Sequence, residues 1–286
     1  MARLLYLFLL FGLLCTSGCI KEDYIASGEL GPLTWTLGKD GAFTISGTGA
    51  MPDYRVKPTE SLPYWYEHRD QIISVNIGDN VSNIGDFAFY RCKNLTSVTM
   101  GQSVNAIGIK AFSGCSSLAS VILPNSLISI GANAFSGCER LTSVIIPNSV
   151  IDIGRAAFYE CNRLTSVTIG QSVTSIGKVA FFDCKSLTSV IIPNSVINVR
   201  DSAFYFCGLT SVTIGHSVTS IGEAAFRNCT DLTKIINHQS IPQTINQTVF
   251  RSVSKSKCTL FVPAGTETAY SNAEGWMDFV NIETIQ

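Results

Sequence analysis

Apolar residues return along most of this chain in a fixed order. Phe stands at Phe89, Phe112, Phe135, Phe158, Phe181, Phe204 and Phe226, and Cys at Cys92, Cys115, Cys138, Cys161, Cys184, Cys207 and Cys229. Leu95, Leu118, Leu141, Leu164, Leu187, Leu209 and Leu232 follow in step, with one residue missing between Cys207 and Leu209. The period is 23 residues, within the range in which short coils of chain stack into a solenoid. In the unit that starts at Leu141, Val144 and Ile146 alternate with the period of two that a half-buried strand needs. Pro147 ends that strand, as Gly170 does in the next unit, because neither residue suits a ladder interior. Ser149, Val150 and Ile153 follow, then Gly154 for a turn. Residues 155–159, which include Ala157 and Phe158, predict one short helical turn. A single unit cannot cover its own Val, Ile and Phe, so neighbours must stack and continue one core.

These units predict an α/β fold: a right-handed leucine-rich-repeat solenoid with a parallel sheet on one face and short helical or 3-10 turns on the other. About eight repeats at the spacing of paired strands make a ladder of roughly 40 Å. The ends need other sequences, since a bare end exposes core and strand edge. Residues 33–37 and 42–46 flank Lys39-Asp40-Gly41 and predict a hairpin. The cluster Pro63-Tyr64-Trp65-Tyr66 leads into the first unit at Ile72. Residues 258–262 predict a last strand and residues 264–276 a short helical lid. The expected organisation is a signal peptide (1–18), a tether (19–29), an N-terminal hairpin cap (30–71), the repeats (72–256) and a C-terminal cap (257–286).

The motifs Leu33-Thr34-Trp35-Thr36-Leu37, Ile45-Ser46-Gly47-Thr48-Gly49-Ala50-Met51-Pro52-Asp53-Tyr54, the Ser-Val-x-x-Ile-Gly-x-x-Ala-Phe units and Val262-Pro263-Ala264-Gly265 together resemble BspA-like leucine-rich-repeat proteins. Such proteins abound in gut and oral Bacteroidetes. The resemblance implies a surface adhesin that binds host matrix proteins or joins bacteria to one another. It carries over no binding site, and the chain lacks the long repeat array of the large adhesins.

The first residues fit a surface location. Arg3 precedes an apolar run at residues 4–14, too short for a permanent span and laid out as an export signal. Thr16-Ser17-Gly18-Cys19 resembles a bacterial lipobox, with Cys19 as the lipid attachment site; ordinary cleavage near Gly18 is the alternative. Lys21-Glu22-Asp23 looks like the short acidic tag that sends Bacteroidetes lipoproteins to the outer face of the outer membrane, or else is a plain solvated tether. The expected location is therefore the outer membrane, lipid-anchored and facing outside the cell.

Charge narrows the partners. Charged residues are 14% of the chain and the formal net charge is −1, with no basic cluster. Nothing favours nucleic acid, and the expected membrane contact is through the lipid alone. Seven of the ten cysteines share one repeat position, where parallel side chains give poor disulfide geometry. They are either a buried thiol column that fills space or partly disulfide-bonded, as the compartment allows. No CxxC or Cys/His cluster supports a metal site. The three histidines, His68, His216 and His238, have no catalytic partner nearby in the repeat register, and His216 replaces a surface Asn or Gln. No enzyme, cofactor, metal or small-molecule substrate is expected.

Strand alternation turns Ser97, Ser120, Ser143, Ser166 and Ser189 outward in one row, with Thr99, Ile122, Ile145, Thr168 and Ile191 beside them. This face either binds a protein ligand, from host matrix or a bacterial surface, or is simply solvated. It lacks the Trp, Tyr and Arg anchors of energetic hot spots. Directly after the repeat Phe, Tyr159, Phe182 and Tyr205 fall in consecutive units. They predict an aromatic strip that either binds protein or sugar rings, or only packs on itself. Asp201-Ser202-Ala203 resembles a Bacteroidetes O-glycosylation triplet, with Ser202 as acceptor, though such triplets also arise by chance. In function, a non-enzymatic protein-binding or adhesion lipoprotein comes first. A glycan-binding accessory lipoprotein of a carbohydrate-uptake system, or a structural envelope protein, is the alternative.

Overall fold

The computed structural model describes residues 24–55 and 61–286. The expected signal peptide, Cys19 and the acidic tag lie outside these residues. The chain winds into a parallel β-solenoid of about nine turns with repeats of about 23 residues and little helix. Phe250, which lacks the Cys partner of its predecessors, adds a coil to the column.

Each coil contributes to two parallel ladders. One holds the Val-x-Ile strands: Ser143–Ile145 pairs in register with Ser166–Thr168, and Ser189–Ile192 with Ser211–Ile214. It is divided into a six-, a two- and a five-stranded sheet, with no pairing between Ser166–Thr168 and Ser189–Ile192. The other is an eight-stranded sheet of mostly two-residue strands such as Ser129–Ile130 and Asp152–Ile153. Gly154 follows the second of these because a Cβ there would lie 2.5 Å from the Ile130 carbonyl. This second sheet is absent from the sequence pattern, since two residues are too few to show a period.

The expected helical turn at residues 155–159 is not helix. Ala156 and Glu160 have φ of 54° and 57°, in the left-handed region. Alternate N–H groups then point to different partners. Those of Ala156, Phe158 and Glu160 reach carbonyls of the next coil, while those of Ala157 and Tyr159 close turns within their own. A helix would keep every bond inside the coil and leave none to fasten the stack. Val179 sits in this same position at φ 52°, where a β-branched residue is strained, whereas Asn133 occupies it at little cost. Val179→Asn should therefore raise stability by about 1 kcal/mol, read from the midpoint of urea unfolding.

Where the expected tether ends, residues 24–29 are part of a strand. β1 (Tyr24–Leu30) pairs antiparallel with β2 (Leu33–Gly38), which pairs with β3 (Ala42–Gly47). β3 then starts the parallel stack by pairing with Ser74–Ile77. Trp65 fills the open end, its Nε1 donating to the Ala88 carbonyl at 2.8 Å. At the other end the strand Thr259–Val262 is not the last. After α1 (Glu267–Asn272), Asn281–Thr284 adds one more, and Trp276 closes the core against Phe250. The missing residue after Cys207 is absorbed at Gly208, where a Cβ would fall 2.1 Å from the Lys185 carbonyl.

Candidate interaction surface

The repeating polar residues turn out to be fasteners between coils. The hydroxyls of Thr165 and Thr210 donate to the carbonyls of Thr142 and Thr188 in the preceding coils, at 3.0 Å each. Ser126 and Ser195 donate likewise to Val104 and Val173. Asn148 and Asn194 accept the backbone N–H of Gln171 and His216. The exposed His216 ring lies in hydrogen-bond range of its neighbour Ser217, at 3.1 Å.

The cysteine column is buried, and its thiols are free. They do more than fill space: each of the six from Cys115 onward donates to the Phe carbonyl of the coil before it, as Cys161 Sγ does to Phe135 O at 3.3 Å. Sequence alone could not show this, because the bond depends on coil spacing. Burial pushes these thiols up, that of Cys229 to about 12. Two outcomes follow. The eight free cysteines of the solenoid should react with a thiol reagent at pH 8 only once denaturant is added. Unfolded thiols ionise from about pH 8.5, so the stability held by protonated thiols is complete below that pH. It should fall as pH rises toward 12, lowering the urea midpoint.

Two surfaces remain once the fasteners are assigned. On the strand wall, Ser120, Ser143, Ser166, Ser189, Thr99 and Thr168 are exposed and Ser97 is half-buried. Beside them Ile122, Ile145 and Ile191 are 75%, 69% and 67% exposed. Among the described residues only Ile241, at 74% and outside this row, is as exposed an apolar side chain within the repeats. The pairing also carries this row past Thr213 to Ile236 and Phe261, with the Lys234 ammonium 5.2 Å from the Phe261 ring. Sequence reasoning missed this aromatic because the coil from Lys234 to Thr259 is longer than the repeat. A shallow 310 Å³ depression lies where the ladder parts, lined by Ser166, Thr168, Gln171, Ser189 and Ile191.

On the turn side, Tyr159, Phe182 and Tyr205 do come together. Their rings stack at 4.9 and 5.0 Å with planes 11° and 3° apart. The broad faces are thus taken up by neighbouring rings, and the Arg227 guanidinium lies 5.5 Å from the Tyr205 ring. A sugar needs an open face, which the middle of this stack does not offer. Phe206, which the pattern does not single out, packs edge-on against Tyr205 at 4.8 Å and is itself exposed. Ser202 is half-buried at φ 55°, beside Asp201, which pairs with Lys178 at 3.2 Å.

A family model described as BspA type leucine rich repeat region matches residues 63–178 and 152–273. The chain belongs to this BspA-type family. Its fold is similar to that of a leucine-rich repeat protein from Eubacterium ventriosum, with a TM-score of 0.51 at 21% identity, covering 88% of this chain and 82% of that one. A leucine-rich repeat protein from Bacteroides ovatus is 22% identical, over 89% of this chain and 88% of that one, with a TM-score of 0.48. A leucine rich cell surface protein from Faecalibacterium prausnitzii is also 22% identical, over 92% and 96%, with a TM-score of 0.43. No curated protein matches the chain. Among the described residues, no three His, Cys, Asp or Glu side chains are grouped to hold a metal, and no helix is long and apolar enough to cross a membrane.

Proposed function

We propose that this BspA-type protein is a non-enzymatic lipoprotein, anchored through Cys19 to the outer membrane and facing outward, that docks protein on its strand wall. The leader and the cysteine after it support the anchor; the repeat architecture supports a binding role. One observation carries the choice of surface: three isoleucines stand more than two-thirds exposed on a stretch of wall, from Ser97 to Thr213, whose two outward rows carry no charge. Thr fills the same row in three of the six coils, at Thr99, Thr168 and Thr213, so the fold does not need Ile there. Exposed apolar residues in one row mark an interaction site.

The test is binding to immobilised host matrix and bacterial surface proteins. Ile145→Lys should weaken capture at least about tenfold with the melting temperature unchanged. Tyr205→Ala should leave capture intact. If the Tyr205 variant loses binding and the Ile145 variant keeps it, the turn side is the binding surface.

A further inference from the structure

The same wall has a property that a partner of unrelated shape would not require. Its outer row, Thr99, Ile122, Ile145, Thr168, Ile191, Thr213, reads almost alike from either end. Turn a second copy end for end, with the two-fold axis between Ile145 and Thr168. Thr99 then meets Thr213 and Ile122 meets Ile191; only Ile145 against Thr168 is unlike. The inner row is serine throughout, from Ser97 to Ser211. Both rows lack charge over these six coils, so two copies meet no like-charge penalty. By contrast the turn side carries Arg155, Lys178, Asp201 and Glu223 in one column.

The size of the wall suits a reversible pair. Nine strands from Ser74–Ile77 to Thr259–Val262, each two to four residues long, give a projected footprint of about 500 Å². Stable pairs bury about 800 Å² per partner, and the projecting Ile and Thr side chains add to the flat figure. An isologous contact requires the same patch to fit itself, which a near-symmetric row does.

We infer that the partner docked on the strand wall is a second copy of this chain, antiparallel and face to face. This rests on the docking reading above and names its occupant. Sedimentation equilibrium of the purified full chain, up to about 100 µM, should show a monomer–dimer equilibrium. Ile122→Lys and Ile191→Glu should each raise the dimer dissociation constant about tenfold or more. The double variant Ile122→Lys/Ile191→Glu places opposite charges together in this register and should recover to within about threefold of the unaltered chain. A chain monomeric at the highest concentration overturns self-pairing, as does a dimer indifferent to Ile122→Lys or a double variant weaker than either single one. A monomer that still captures another protein through Ile145 overturns self-pairing alone and leaves the docking reading in place.

Discussion

Phe158→Ala should lower unfolding free energy by about 3–5 kcal/mol, the usual loss for a buried Phe whose cavity cannot close. The ring is fully buried, with Phe135 and Phe181 at 5.4 and 5.3 Å and planes within 6° and 5°. Collapse into the void is resisted because the backbone on both sides is pinned. The Phe158 N–H donates to Ala180 O at 2.8 Å, and its carbonyl accepts Cys184 Sγ at 3.3 Å. Coils cannot approach without breaking these bonds. Since each repeat contacts only its neighbours, the loss also weakens two interfaces in mid-stack. Tyr159→Ala, next in sequence but half-buried, should cost about 1 kcal/mol. Urea unfolding of both variants checks the contrast; a Phe158→Ala loss below about 1 kcal/mol would remove the Phe column from the core.

Trp65→Ala should cost a comparable amount, about 3–5 kcal/mol, with a different signature. Trp65 is the plug of the N-terminal end. Its indole lies 5.9 Å from Phe89, 4.8 Å from Phe43 and 5.4 Å from Trp35. Without it the outer face of the Phe column meets water and the Ala88 carbonyl loses its donor. In a quasi-one-dimensional stack the damage stays near its source. Hydrogen exchange should therefore speed up in Ser74–Ile77 and Ser97–Met100 and stay unchanged in Ser211–Ile214. Trp65→Phe should retain most of the packing and lose about 1 kcal/mol through the orphaned carbonyl. Uniform acceleration along the solenoid would show that the ends are not local caps.

Particular positions show why some features were legible and others were not. Phe, Cys and Leu columns follow directly from the period, because stacking places each repeat position above its predecessor. The outward row from Thr99 to Thr213 follows from alternation on the strand. At Ala156 the same sequence is compatible with helix, and only the left-handed backbone sends N–H groups to the next coil. At Phe261 the row continues through a longer coil, so its place had to come from strand pairing. β1 has neither strong alternation nor a core of its own and exists by pairing with β2.

What the sequence determined by itself is therefore the translation: the repeat length, the residues buried in columns and the uncharged outer wall. The tertiary structure decided what depends on distance and direction between coils. That includes the second sheet, the thiol bonds to the Phe carbonyls and the ring faces turned toward each other in the aromatic strip. The physical reason is that periodicity specifies which residues become neighbours. Hydrogen bonds and ring contacts also require a backbone direction and a spacing, which arise only when neighbouring coils fix each other.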